Sequence, residues 1–256
     1  MSVWFRCTGY YVRSMSESVF PNARPYPVNL RLDGKPVLCV GAGNVAVRKV
    51  EQLLESGARV TAIGPAVNPD LTALGSRPFV GTLKVEERAY EVGEVADYSL
   101  VITCTDDPDV NRQVHQDGLA AGVWVNSADD PENCEFTLAS VVRTGDLQIA
   151  ISTEGRSPAL AMHLRRRFER EFDHSYERLL DLLSEVRDEA RSRFGTSEIS
   201  GWQEAIDNGL IELVAAGEHD TARHRLRAHL GLVPEYDRNP RKVVAAEKTV
   251  HRESAS

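Results

Sequence analysis

Cysteine is scarce in this 256-residue chain: four residues, Cys7, Cys39, Cys104 and Cys134, far apart and with no C-x-x-C pair. That spacing offers neither a zinc site nor a redox pair. Cys39 and Cys104 fall inside apolar, strand-like runs, where a thiol behaves as a small hydrophobe, and a reducing cytoplasm is the expected setting. No apolar run approaches the roughly 20 residues that a bilayer requires. Residues 1–24 carry Arg6 and Arg13 but no continuous apolar stretch, which argues against a secretory signal. Lys and Arg number 30 against 38 Asp and Glu, a formal net charge of −8, so no nucleic-acid or membrane partner is expected. The seven histidines form no H-E-x-x-H, and neither G-x-S-x-G nor a Walker sequence occurs. His163 alone falls near the site argued below, and a structural role is expected even for it.

What is present is an α/β texture. At 42% hydrophobic, the chain can hold one sizeable α/β domain and a smaller second one. Residues 37–40 are apolar and run into Gly41-Ala42-Gly43-Asn44-Val45-Ala46, followed by Val47, Val50, Leu53 and Leu54 at helical spacing. Strand, tight turn and helix in this order make G-x-G-x-x-A a dinucleotide fingerprint rather than a chance match. Gly41 permits the turn, Gly43 lets a pyrophosphate approach the backbone, and Ala46 lets helix and strand pack closely. An ordinary strand–turn–helix corner is the competing reading.

Strands and helices then alternate, as in a parallel sheet with covering helices. The expected elements are a helix over 45–55 stopped by Gly57, a strand over 59–63 ended by Gly64-Pro65, and a weaker extended segment over 82–87. A buried strand over 99–103, a helix over 109–121 and a strand over 123–126 follow. Residues 136–143 and 147–152 flank Thr144-Gly145-Asp146 and read as a hairpin. Ser157-Pro158 has the residues of a helix start, and Leu160, Leu164, Phe168 and Phe172 make one stripe along that helix. A further helical period runs from Tyr176 to Phe194, and a last block covers 197–232 with Gly209 and Gly217 as punctuation. Residues 1–24 and 236–256 read as disordered tails, and Met15 is a candidate start.

Three strand ends bear on chemistry. The second lacks the acid that ordinarily binds the ribose hydroxyls of NAD: Ile63-Gly64-Pro65-Ala66 stands there instead, with no Arg or Lys for a 2′-phosphate. Either no nucleotide binds, or the backbone around Pro65 and Ala66 meets the adenosine, and NAD is then favoured over NADP. The strand ending at Thr103 delivers Thr105 and Asp106 to the nicotinamide side, with Asp107 as helix cap. The strand ending at Asn126 leads into Ser127-Ala128-Asp129-Asp130-Pro131, where Asp129 is equally well a proton acceptor or a turn residue. Farther on, Arg156, Ser157 and Arg165-Arg166-Arg167 offer a helix N-terminus and cations to an anionic substrate, although such a run is commonly only a solvated face.

Taken in order, Tyr26-Pro-Val-Asn-Leu, the glycine fingerprint through Lys49, Thr103-Cys-Thr-Asp-Asp107, Val125-Asn-Ser-Ala-Asp129, Phe136 and Ser152-Thr-Glu-Gly-Arg-Ser-Pro158 resemble one family. It is the siroheme synthase N-terminal family, which dehydrogenates precorrin-2 and often chelates iron into sirohydrochlorin. The likeness covers about residues 26–230 and implies the free-standing form, without a methyltransferase module. It implies a Rossmann-like NAD domain over 25–135, a small α/β dimerisation domain over 136–174 and a helical domain over 175–235, in a homodimer. NAD is the implied cofactor, and the tetrapyrroles precorrin-2 and sirohydrochlorin, with ferrous iron, are the implied substrates. By motif position, Asn44 with Val45 and Pro65 with Ala66 are implied as cofactor contacts beside Gly41 and Gly43, and Asp129 as the catalytic aspartate. Asn126, Arg156 and Ser157 are implied substrate contacts. Thr153 and Glu154 depart from the family pattern, in which glycine commonly occupies the latter position.

Overall fold

The computed structural model describes residues 6–7, 10–11, 24–128 and 130–233. Two short strands, β1 (Arg6–Cys7) and β2 (Tyr10–Tyr11), pair antiparallel over two rungs. The remainder of the expected N-terminal tail up to residue 23, the candidate start at Met15 and the expected tail over 236–256 lie outside the described residues. The chain divides into two compact units between Leu138 and Ala139.

The first unit is built on a five-stranded parallel sheet of β3 (Pro36–Val40), β4 (Arg59–Gly64), β5 (Thr82–Glu87), β6 (Leu100–Thr103) and β7 (Trp124–Ser127). Its order is β5-β4-β3-β6-β7. The chain winds outward from β3 to β5 and returns to the other side of β3, which leaves a switch point between β3 and β6. Val37 to Val40 are buried on both faces of the sheet, so the central strand reads as an unbroken apolar run. Val37, Cys39, Val60 and Ala62 meet Ala46, Val50 and Leu54 of α1 (Asn44–Glu55) and Leu71 and Leu74 of α2 (Pro69–Leu74). Leu38, Val40, Val101 and Val125 face the other way, against Val114 of α3 (Pro108–Ala121).

Helix α2 has no counterpart among the expected elements. It is only six residues long, too short for a period, although Asn68 caps it and Pro69 opens it. The expected strand over 123–126 lies one residue later, at β7. Asp107 caps α3 by accepting from the N–H groups of Asp109 and Val110, and Gly122 ends it at φ +69°.

The second unit opens with a hairpin, β8 (Ser140–Thr144) and β9 (Leu147–Ile151), joined by Gly145-Asp146. The expected first strand began at 136, but residues 136–139 are not part of the ladder. The chain there is tied to β7 instead: the Glu135 N–H donates to the Val125 carbonyl and the Asn126 amide to that of Phe136. Helix α4 (Pro158–Glu171) carries the expected stripe, yet none of its residues is buried. It breaks at Phe172, and Asp173 caps α5 (His174–Phe194). The final block is α6 (Trp202–Ala205), a π-helical turn over 206–210 interrupted at Asn208 and Gly209, α7 (Ile211–Ala215) and α8 (His219–His229). Leu179, Val186 and Ala190 pack there against Leu210, Val214 and Leu226. Among the described residues, no helix is long and apolar enough to cross a membrane.

Candidate functional site

A cavity of about 650 Å³ opens at the carboxyl ends of β3, β4 and β6, at the switch point of the sheet. Gly41, Gly43, Asn44, Val45, Pro65, Ala66, Thr105 and Asp106, the eight cofactor positions expected from the sequence, all line it. The two glycines are there for different reasons. Gly41 has φ +105°, and a Cβ on it would lie 2.6 Å from the Cys104 carbonyl. Gly43 has φ −89°, which any residue adopts, and a Cβ on it would meet no protein atom within 4 Å. The protein's own packing therefore does not require glycine at 43, and the open space before it is the kind that a pyrophosphate fills.

The N-terminus of α1 suits that occupant. Gly43 is its N-cap, no side chain caps it, and its first turn holds no acid. The free N–H groups and the positive dipole end thus face the cavity. Beside them the Asn68 amide donates to Asn44 Oδ1 at 2.6 Å, which ties the loop after β4 to the start of α1. Pro65 and Ala66 form the wall at the end of β4, and no acid stands among the lining residues there. These residues fit an NAD(P)-type dinucleotide.

The wall beyond β6 is polar. Thr105 Oγ1 accepts from the Asp107 N–H at 3.1 Å, and the Asn111 amide donates to the Thr105 carbonyl at 3.2 Å. Asn111 lines the cavity and is only 4% exposed. It was not among the expected site residues; its place four residues after the cap Asp107, in the first turn of α3, was the available signal. Cys104, expected inside a strand, lies one residue past β6 and forms part of the wall. The Cys39 thiol lies 4.0 Å from the Cys104 sulfur. That hydrogen bond, and then burial, hold the Cys39 thiol well above its ordinary range, so it stays protonated.

Asp129 lies outside the described residues; its neighbours Ala128 and Asp130 line the cavity. Cys134 bonds both Ser127 and Asp130. The Ser127 N–H donates to Cys134 Sγ at 3.1 Å, and the thiol points at the carbonyls of Ser127 and Asp130 at 3.2 and 3.3 Å. Burial raises this thiol as well. Asn126 is buried and outside the cavity wall, with its amide directed to the Phe136 carbonyl at 2.8 Å.

Arg156 and Ser157 belong to the second unit. Arg156 is exposed, and Ser157 caps α4 through Oγ, which accepts from the Leu160 N–H at 3.2 Å. Arg165 and Arg167 pair with Glu169 and Glu171 one turn on, as on a solvated helix face, and His163 is exposed on the same helix. Glu154 has φ +53°, the left-handed region that favours glycine, and no other non-glycine residue among those described has a positive φ.

Two family models match the chain in succession: one described as putative NAD(P)-binding over residues 28–140, and one described as sirohaem biosynthesis protein central over residues 144–171. A siroheme synthase of Thioalkalivibrio sulfidiphilus is 37% identical over 207 residues, which is 80% of this chain and 42% of that protein. Siroheme synthases of Methylobacillus flagellatus and Nitrosococcus oceani are 33% and 34% identical over 78% and 82% of this chain, and 43% and 45% of their own length. The chain thus spans under half the length of these curated relatives. Among solved structures, SirC, a precorrin-2 dehydrogenase, superposes with a TM-score of 0.57 at 23% identity, covering 81% of this chain and 98% of that one. At that identity the likeness is one of fold.

Proposed function

Since this chain belongs to the siroheme synthase family, we propose that it dehydrogenates precorrin-2 to sirohydrochlorin with NAD. The observation that carries the reading is the open cradle at Gly43, before an uncapped helix N-terminus and beside the ends of β6 and β7. Bound there, NAD supplies a hydride acceptor. The α1 N–H groups hold its pyrophosphate, Pro65 and Ala66 meet its adenosine, and Thr105 and Asp106 flank its nicotinamide half.

The substrate loses two hydrogens, one as hydride to the nicotinamide and one as a proton. Asp129 is the proposed proton acceptor. Positioning does most of the remaining work, because the reacting carbon must lie against the nicotinamide face. Arg156, at the capped start of α4, is the proposed partner for the carboxylates of the tetrapyrrole, with Ser157 as a further contact; Asn126, buried and bonded to the Phe136 carbonyl, is left a structural part.

Two finer points belong to the same reading. Ferrous iron is a second substrate, inserted into sirohydrochlorin to give siroheme, with Asp129 receiving pyrrole protons; the names of the relatives support this step. The chain works as a cytoplasmic homodimer joined through residues 136–174, with the helical region over 175–235 beyond them. In support, α4 buries none of its residues, and Leu160 and Met162 are 49% and 44% exposed. The direct test is incubation of the purified protein with precorrin-2 and NAD. NADH formation together with sirohydrochlorin absorbance is expected, and no NADH would refute the reading.

A further inference from the structure

We propose that Asn111 is a cofactor-specificity residue whose Oδ1 accepts a hydrogen bond from the carboxamide NH₂ of the bound nicotinamide. The inference rests on the dinucleotide reading of the cavity and extends it to a residue to which nothing so far gives a role. The Asn111 amide faces the carbonyl oxygen of Thr105 at 3.2 Å. Only an NH₂ can face a carbonyl favourably, so this contact fixes the orientation of the side chain and leaves Oδ1 pointing elsewhere. Oδ1 is buried and has no partner, in a residue 4% exposed that lines the cavity. A buried acceptor without a donor is costly, and such groups usually have one.

The place of Asn111 selects the donor. The cavity runs from Pro65 and Ala66, beyond β4, past the Gly41–Gly43 turn to the ends of β6 and β7. In a doubly wound sheet with the pyrophosphate at that turn, adenosine lies over the β4 side and nicotinamide over the β6 side. Asn111, in the first turn after β6, is on the nicotinamide side. The surfaces offered there by the nicotinamide half are ribose hydroxyls and a carboxamide, and the carboxamide alone brings two N–H donors on a rigid ring. A bond to it would also fix the rotation of the ring, and so the face turned to the substrate.

The test is titration calorimetry on the full chain with three ligands: NAD, its 3-acetylpyridine analogue, which has an acetyl group in place of the carboxamide and no N–H, and ADP-ribose, which has no nicotinamide. Wild type should bind NAD about tenfold or more tighter than the analogue. Asn111→Ala should weaken NAD until the two match and leave ADP-ribose unchanged. If that variant does not fold, Asn111→Ser carries the same comparison. Equal binding of NAD and analogue by wild type, or undiminished discrimination by the variant, overturns the proposal. So does an equal loss for all three ligands by a folded variant, which would mean that Asn111 only holds the Thr105 peptide. Wild type that binds none of the three refutes the dinucleotide site itself, an outcome distinct from failure of Asn111 alone.

Discussion

Gly41 and Cys104 stand with no room between them: a Cβ on Gly41 would come within 2.6 Å of both the carbonyl carbon and the carbonyl oxygen of Cys104. The positive φ at Gly41 adds a second reason for glycine, and Gly43, two residues on, has neither. Gly41→Ala should therefore cost about 2–4 kcal/mol of stability through overpacking and backbone strain. Gly43→Asp should leave the melting temperature near that of wild type and abolish NAD binding, by adding bulk and a like charge where the pyrophosphate lies. Thermal melts paired with calorimetry separate the two effects. Unchanged NAD affinity in a folded Gly43→Asp protein would sink the cofactor assignment.

Asp129→Asn is nearly isosteric and removes only the ability to take a proton. NAD binding should persist while dehydrogenation falls by about 10²-fold or more. If one carboxylate serves both steps, iron insertion into supplied sirohydrochlorin falls as well. NADH formation and siroheme absorbance, followed on one folded variant, check both. Normal chelation with lost dehydrogenation would divide the two activities between different groups.

Helix α4 presents Leu160 and Met162 outward, and none of its residues is fully buried. Light scattering at micromolar concentration should give the mass of two chains. Leu160→Asp should shift that mass toward one chain by placing a charge in the covered face. A monomeric wild type would reject the proposed interface.

The N–H of Ser175, and then its hydroxyl, hold the Asp173 carboxyl below its ordinary range at the start of α5. A group whose folded pKa is depressed contributes stability above its unfolded value and loses it as pH falls through the folded one. Asp173→Asn keeps a capping oxygen but cannot ionise. Wild type should be the more stable at neutral pH, and the gap should close as the medium is acidified below about pH 4. Urea unfolding at a series of pH values would show this, and a gap independent of pH would contradict it.

Much of the first unit was legible because its inner strands β3 and β6 are covered on both faces. Residues 37–40 read as a continuous apolar run and 99–103 as a buried strand around Leu100, Val101 and Ile102, and the glycine turn between β3 and α1 follows from residue types that the local geometry demands. Helix α2 was missed because six residues cannot display a period. The expected strand start at 136 failed because apolar Phe136 suggested a ladder, whereas the partners of that segment are Val125 and Asn126 of β7. Of the cavity-lining residues, Gly41, Gly43, Pro65, Ala66, Thr105 and Asp106 could be named from the glycine turn and the strand ends, and Asn44 and Val45 only from the family resemblance. Asn111 could not, since its significance lies in one unpaired oxygen. Nor could Cys134, whose bonds to Ser127 and Asp130 run through a sulfur seven and four residues away.

The wall of Pro65 and Ala66 has a consequence for how the protein tells one dinucleotide from another. Where an acid closes this end of a site, it both grips the free ribose hydroxyls and repels a 2′-phosphate. The repulsion supplies much of the selectivity, because discrimination commonly depends on an element that penalises the wrong ligand. A proline and an alanine penalise by shape alone. The preference for the unphosphorylated dinucleotide should accordingly be shallow, and the relative abundance of the two oxidised forms around the protein, more than its affinity for either, would set which one it consumes.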